Sequence, residues 1–338
     1  MIEFRSLREN EFEQWLEHCT YVFSSETSQS HDELYGYFKM HYENDPWRDI
    51  NKIFIAVENS VILSALKVID RDIVINGFLI KAGGVAEVCT RPECGGKGYS
   101  SDLLWFCIKV MEEQGYQMSM LMAGMGLPNF YRKFGYEEVR LNKSILKVSV
   151  QHQLQKAYTC RTAIFPQDLN SIIKIYESYS YRCNGIIARN SRFYWENWFI
   201  AEAKTVLVAC LDSGEVIGYI CGKPQFIKDD DSYYMRISEF GCKNGFEDVL
   251  EYLTAEYIKR SPEEVQKSGK VILPSLVSSN PQDSTEIVTD DKRMVRMITS
   301  FEVGDYAVRT TGELVELLEG NNQGVGISKY LLWDVDNF

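Results

Sequence analysis

At 338 residues the chain is long enough for two domains, and 45% apolar with 25% charged residues describes a globular protein able to bury its own cores. A formal net charge of -12 without any basic stripe argues against nucleic acid, and no apolar run approaches the roughly 20 residues that span a bilayer. An acidic surface suits cationic small molecules or basic peptides instead.

The chain opens on a short alternating strand, MIEFRSL, in a charged N-terminus that lacks the apolar segment of a signal peptide. A helical stretch follows over about 9–23, and the internal HDEL at 31–34 is not at a C-terminus, where that address is read. NKIFIAVENSVILSALKVID predicts two strands around Asn59–Ser60. DIVINGFLIKAGGVAEVCT holds Asn76–Gly77, a pair that tolerates the positive φ of a two-residue hairpin turn. Its last strand, about 84–90, runs into RPECGGKGYS at 91–100. Leu103, Leu104, Phe106, Cys107, Val110 and Met111 then recur at three- and four-residue spacing, the apolar face of a helix that stops near Gly115. QMSMLMA is a strand, Pro128 opens a short helix ending at Gly135, and SILKVSV is expected to close the first unit near residue 150.

The second half starts with a strand, a helix start at Pro166–Asp168 and an amphipathic helix. SRFYWENWF is a further helix whose Phe193, Tyr194, Trp195 and Trp198 read as domain-packing surface. A hairpin around Asp212–Gly214, the strand SYYMRISEFGC, the helix GFEDVLEYLTAEYIKR and the strand KVILPSL repeat the order of the first half. The glycine turn has no counterpart, since GCKNGFED lacks a lysine–glycine loop. Asp229–Asp231 reads as a solvated loop, with contact to a cationic substrate as the other reading. The polar run 278–292 is expected as a long loop and 293–338 as a short α/β tail. Nine cysteines without any C-x-x-C pair and four histidines at unrelated spacings give no disulfide framework and no metal site, so a reduced, cytoplasmic protein is expected.

A strand that ends in glycines and at once starts a helix gathers backbone N–H groups at the positive end of the helix dipole, a seat for pyrophosphate. The nucleotide P-loop fails here, because Arg91 stands where its first glycine belongs and Gly98 where Ser or Thr belongs. The dinucleotide fingerprint Gly96-x-Gly98-x-x-Gly ends in Ser101 and lacks a parallel βαβ setting. Gly95-x-x-Gly98-x-Ser100, after a strand and Pro92–Glu93, instead resembles the acyl-coenzyme A loop of the GNAT superfamily of N-acetyltransferases. A ligand-free glycine-rich turn is the alternative.

FYRKFGYEEV resembles that family's signature segment, and NGFLIKAGGVAEVCTRPECGGKGYSSDLL with SMLMAGMGLPNFYRKFGYE resembles its Eis-type (enhanced intracellular survival) branch, whose members acetylate amines, notably of aminoglycosides. IYESYSYRCNGIIARNSRFYWENW is similar to that branch's second, degenerate domain. The likeness runs over roughly 1–275. It implies an α/β (α+β) fold of tandem GNAT units, with mixed, mostly antiparallel sheets flanked by helices. The units would be an acetyltransferase domain at 1–150, a degenerate GNAT-like domain at 155–277 and the tail at 293–338, where the branch has a larger sterol-carrier-like domain. Gly95 and Gly96 depart from the arginines common there, so pyrophosphate would rest on backbone N–H groups with Lys97 the one local cation.

The resemblance further implies acetyl-CoA as co-substrate, no metal, and an amine-bearing small-molecule acceptor of polyamine-like or aminoglycoside-like character. A protein lysine and a non-catalytic acyl-CoA-binding role are the alternatives, and a homo-oligomer is left open. Coenzyme contacts fall on Val88, Cys89 and Thr90 at the strand end and on Gly95, Gly96, Lys97, Gly98, Tyr99 and Ser100 in the loop. Tyr131 aligns with the general acid: a phenol of ordinary pKa near ~10 keeps its proton at neutral pH and can give it to the departing sulfur. Tyr136 reads as structural. The base is the C-terminal carboxylate of Phe338, or Glu87, which otherwise reads as a structural ion pair, or a water relay.

Overall fold

The computed structural model describes residues 1–336 except 26, 28, 125, 149–157, 275–283, 291 and 321–329. The first half supplies β1 (Glu3–Ser6), β2 (Ile53–Glu58), β3 (Val61–Ile75), β4 (Phe78–Thr90), β5 (Met118–Met122), β6 (Glu137–Glu138) and β7 (Leu141–Lys147). Its helices are α1 (Phe12–Ser24), α2 (His31–Glu43), α3 (Tyr99–Glu113) and α4 (Pro128–Arg132). The second half adds β8 (Thr159–Thr162), β9 (Ile186–Ile187), β10 (Val206–Cys210), β11 (Val216–Ile227), β12 (Ser232–Cys242), β13 (Lys270–Pro274), β14 (Ser284–Asp290) and β15 (Arg293–Met297). Its helices are α5 (Leu169–Ser180), α6 (Ile200–Ala203), α7 (Val249–Lys259) and α8 (Glu263–Ser268). A two-stranded hairpin, β16 (Phe301–Val303) and β17 (Tyr306–Val308), and α9 (Thr311–Glu319) follow. No helix among the described residues is long and apolar enough to cross a membrane.

Two large sheets share one plan. The first runs β1-β2-β3-β4-β5-β15-β6, with β9 added beside β3, and the second runs β8-β10-β11-β12-β13-β7-β14. Neighbours are antiparallel except one parallel pair in each sheet, β4–β5 and β12–β13. The class is the mixed, mostly antiparallel α/β expected from the sequence.

The two sheets exchange strands. β7, expected to close the first unit, pairs with β13 from Lys147↔Lys270 to Lys143↔Pro274, inside the second sheet. The corresponding slot beside β5 is filled from the far end of the chain by β15, from Arg293↔Met122 to Met297↔Met118. Residues 293–297 are therefore a central strand of the first sheet rather than part of a separate tail. Residues 284–290, expected within a long loop, form β14 against β7. Thr285, Ile287, Val288 and Thr289 give that polar run the β-branched content a strand favours. A helix absent from the sequence reading, α2, starts at a capping box in which Ser30 accepts from the Glu33 N–H and Glu33 from the Ser30 N–H. Leu34, Phe38 and His41 form its buried stripe.

The last described segment threads between the two cores. Leu331, Trp333 and Val335 pack into the second core, while Tyr330 and Leu332 pack with Met120, Val295 and Leu314 into the first. Trp198 Nε1 donates to the Val335 carbonyl at 2.9 Å, and Trp333 Nε1 to Ser180 Oγ at 3.0 Å. Asp336 takes Arg189 through both carboxylate oxygens, at 2.9 and 2.8 Å, and the same guanidinium grips Glu239. Tyr194 and Tyr219 donate to Asp336 and Glu239. All three charged side chains are fully buried.

One guanidinium thus faces two carboxylates, and burial pushes the Glu239 carboxyl up against the pull of Arg189. Arg189→Met strands both acids and is expected to cost about 3–5 kcal/mol, the range for breaking a buried pair. Glu239→Gln keeps the shape, removes the surplus negative charge and is expected to cost far less. Urea unfolding midpoints of the two variants check the ranking.

Candidate active site

The parallel pairing of β4 and β5 covers only Ala82↔Met118, Gly83↔Ser119 and Gly84↔Met120. β4 continues to Thr90 without β5 beside it, so a wedge opens between the two strands. A bulge turns β4 away: Ala65 pairs with Cys89 and Lys67 with Ala86, so Glu87 and Val88 together oppose Leu66. Glu87 sits at φ +55°, a left-handed conformation that a carboxylate side chain rarely adopts. At the open end Ser64 Oγ donates to the Cys89 carbonyl at 3.1 Å and lies 2.8 Å from Thr90 Oγ1. Val88, Cys89 and Thr90 therefore line the parted end of the strand.

The loop after Thr90 leads straight into α3. Gly96 and Gly98 have φ of +75° and +86°, and a Cβ at either meets nothing within 4 Å, so the dihedral and not crowding demands glycine. Gly95, at φ -56°, has no such need. Cys94 and Gly95 donate back into the turn, and the next bonded amide is Asp102, to the Gly98 carbonyl at 3.0 Å. The N–H groups of residues 96 to 101 make no hydrogen bond among the described residues, and no side chain caps α3. Lys97 is exposed and makes no ion pair among them. Tyr99 and Ser100 are half-buried in the first turn.

The second unit shows the same turn closed. Its parallel pair covers only Met235↔Val271 and Arg236↔Ile272, and its long strands also slip register at Cys221/Gly222. After β12, however, the amides of Lys243, Gly245, Phe246, Val249 and Leu250 all have partners. Gly245 N–H donates to the Glu247 carboxylate at 3.1 Å, and that bond holds Glu247 below the usual carboxylate range. The parting of β12 and β13 is lined by Leu332 and Asp334 from the threaded segment, with Asp334 paired to Arg236, Arg293 and Lys143.

Tyr131 lies in α4, buried in the cluster that includes Val85 and Leu121, with Val88 packed against it. Its ring meets Phe130 and Tyr136 edge-on, and its hydroxyl makes no hydrogen bond among the described residues. Burial pushes that hydroxyl up to about 12. Tyr136 differs: its hydroxyl is 2.7 Å from Ser119 Oγ, which donates to the Gly83 carbonyl, a structural role on β5.

Glu87 looks the other way, toward α1 and α2. Its Oε1 takes Lys67 Nζ at 2.7 Å, with both side chains under 10% exposed, while its Oε2 is buried without a partner. Tyr37 and His41 of α2 lie in the same region. Burial, then the Glu87 and Glu202 carboxylates, raise the Tyr37 hydroxyl. His41 Nε2 is 3.6 Å from Glu202 Oε1, and its ring packs between Tyr37 and Trp198. His41 first, against burial, holds Glu202 below the usual carboxylate range. Tyr37, His41 and Lys67 were not singled out in the sequence; the Ser30-x-x-Glu33 start of α2 is the signal that could have pointed to the first two. Asp230, at the β11–β12 tip, is engaged by Lys270 and Tyr234. Phe338 lies outside the described residues.

Residues 3–139, from β1 through β6, match the family model described as the acetyltransferase (GNAT) domain. Solved structures with the same fold include a GCN5-related N-acetyltransferase from Anabaena variabilis, 15% identical, covering 88% of this chain and 73% of that one at a TM-score of 0.65. A probable N-acyltransferase from Enterococcus faecalis is also 15% identical, covering 88% and 72% at 0.67. Eis1 from Mycobacterium abscessus is 12% identical, covering 88% and 74% at 0.59. No curated protein sequence matches the chain. The fold is that of GNAT acetyltransferases, and the domain match supports N-acetyltransferase activity.

The bulge carries two opposed costs. Glu87→Gly relieves a left-handed strain of about 1–2 kcal/mol, but strands a buried Lys67 ammonium at about 3–5 kcal/mol. A net loss of stability is expected, recovered in large part by adding Lys67→Met. Thermal unfolding of the single and double variants tests this.

Proposed function

We propose that the first unit is an acetyl-CoA-dependent N-acetyltransferase acting on a primary amine of a cationic small molecule, in the cytoplasm. One observation carries the reading: six consecutive backbone amides, 96 to 101, without partners among the described residues at the start of α3, directly after the strand that parts from its neighbour. That is an anion seat of pyrophosphate size, and the closed turn of the second unit is its internal contrast. The domain match over the same residues favours acetyl-CoA over other diphosphates.

Acetyl-CoA supplies an activated acetyl thioester; the chain does the rest. Amides 96 to 101 and Lys97 hold the diphosphate, and the parted end of β4 at Val88, Cys89 and Thr90 takes the pantetheine arm. The acceptor nitrogen attacks the thioester carbon, the C–S bond breaks and the N–C bond forms. Tyr131 holds its proton at neutral pH, its hydroxyl raised to about 12, and gives it to the departing sulfur. The proton lost by the amine goes to a carboxylate. Glu87 Oε2, buried and unpaired, is one base. A water relay to it is the other route. Tyr37, with the Glu87 and Glu202 carboxylates near its hydroxyl, would bound the acceptor side, an aromatic ring and acidic groups that suit a cationic amine. Glu202 comes from the second half, whose role would then be to complete this side of the site.

Turnover is measured as coenzyme A release with a panel of small amines and lysine peptides. Tyr131→Phe is expected to lower kcat about 100-fold or more while leaving the KM for acetyl-CoA nearly unchanged. Because the acid form of Tyr131 persists until pH approaches its raised value, the rate should climb through pH 8–10 as the amine loses its proton, with no alkaline fall in that range. Binding without turnover, unaltered by Tyr131→Phe, would instead favour an acyl-CoA-binding module.

Calorimetry with coenzyme A is expected to find one site per chain, since the second turn is already occupied by Glu247. Gly95→Arg, at dihedrals any residue can adopt once its Cβ, 3.2 Å from the Pro92 carbonyl, is eased by a small shift of the turn, should tighten that site by adding a second local cation. An unchanged dissociation constant would remove the diphosphate from this loop.

A further inference from the structure

Two thiols from distant parts of the chain meet beside the bulge. Cys19 of α1 and Cys89 of β4, 70 residues apart, place their sulfurs 3.8 Å from each other in one buried cluster. A disulfide holds its sulfurs at about 2.05 Å, so the two must close by a little under about 2 Å to be joined. His18 is the second observation. It is 1% exposed, and neither ring nitrogen has a hydrogen-bond partner among the described residues. The Cys19 thiol first, and the His18 imidazole after it, hold the Cys89 thiol below its ordinary range against burial. Cys19 is pushed up, mainly by burial, with Glu87 and Lys67 the charged groups that face it. Elsewhere burial raises Cys107, Cys160, Cys210, Cys221 and Cys242.

We propose that Cys19 and Cys89 are a redox-modification site, closed to a reversible intramolecular disulfide by a hydroperoxide. Cys89, 4% exposed where Cys19 is fully enclosed, meets the oxidant first. His18 takes the Cys89 proton, and the thiolate attacks a peroxide oxygen. The O–O bond breaks, a sulfenic acid forms, and the first water (or alcohol) leaves with that proton. The Cys19 sulfur then attacks the sulfenic sulfur, the S–O bond breaks, and the departing hydroxide leaves as water with the Cys19 proton. Two thiols lose two electrons in all, and one peroxide is reduced. Transient bonds of this kind are the form disulfides take in a reducing compartment.

The bond ties α1 to a point two residues past Glu87, on the strand assigned to the pantetheine arm. Drawing Cys89 toward α1 shifts that strand end, so oxidation lowers acetyl transfer and a dithiol restores it. This consequence rests on the acetyltransferase reading; the cross-link does not.

The test treats the full chain with a small excess of hydrogen peroxide, then alkylates, digests without reduction and maps cysteines by mass spectrometry. The expected result is a peptide pair joined through Cys19 and Cys89, lighter by two hydrogens, formed before other cysteines react and removed by dithiothreitol. His18→Gln should slow its formation. Equal alkylation of Cys19 and Cys89 before and after treatment overturns the site. Acetyl transfer should fall as the linked fraction rises, and Cys19→Ala should retain both activity and resistance to peroxide. A fully linked protein with undiminished turnover overturns the regulatory part, and a protein inactive before treatment discredits the acetyltransferase reading while the cross-link is still judged by mass.

Discussion

β4 and β5 stay side by side for three residues and then part, and the rest of the candidate site follows from that parting. A strand without a neighbour leaves backbone groups in search of partners, which in a buried setting is tolerable only where something else can bond them. The extra residue at Glu87 bends β4 close to where the two strands part, and the pairing of β4 with β3 resumes beyond it at Ala65↔Cys89 and Ser64↔Thr90. The same bulge sends the carboxylate to Lys67 on one side while Val88 packs toward Tyr131 on the other. The Glu87 carboxylate and Tyr131 thus stand on opposite flanks of one strand.

The second unit shows the same parting with its turn and gap occupied by the chain itself. There the turn amides bond to the chain itself, Glu247 supplying the negative charge, and the gap between β12 and β13 takes Leu332 and Asp334. Two sheets of one plan thus differ in whether their polar backbone is satisfied internally. The difference comes from a few residues: a glycine–lysine–glycine run in one turn, and a short acidic stretch with a returning segment in the other.

Local features of this site were readable from the amino-acid order. The glycine loop, the apolar face of α3, Pro128 before Tyr131 and the Asn76–Gly77 hairpin each declare themselves within a few residues, because dihedral preference and helical spacing are local properties. What was not readable depends on partners far away in sequence. β7 has strand character wherever it sits, and only the competition between two sheets sends it to β13. Residues 284–290 look polar because an edge strand can be polar. Lys67 is an unremarkable strand lysine until the bulge brings Glu87 to it, and Cys19 and Cys89 have no spacing that announces a pair. Phe338 lies outside the described residues, so its reading as a base rests on resemblance.

The strand exchange sets a timetable. Residues 1–139 carry almost the whole of the first sheet, yet the slot between β5 and β6 stays empty until the ribosome has made residues 293–297. Loop closure over that span is slow, and an unfilled slot is an exposed edge open to any passing strand. Meanwhile β7 waits unpaired for β13. A nascent chain of this design therefore holds two incomplete sheets through most of the synthesis of its second half, and both are finished nearly together, within its last fifth.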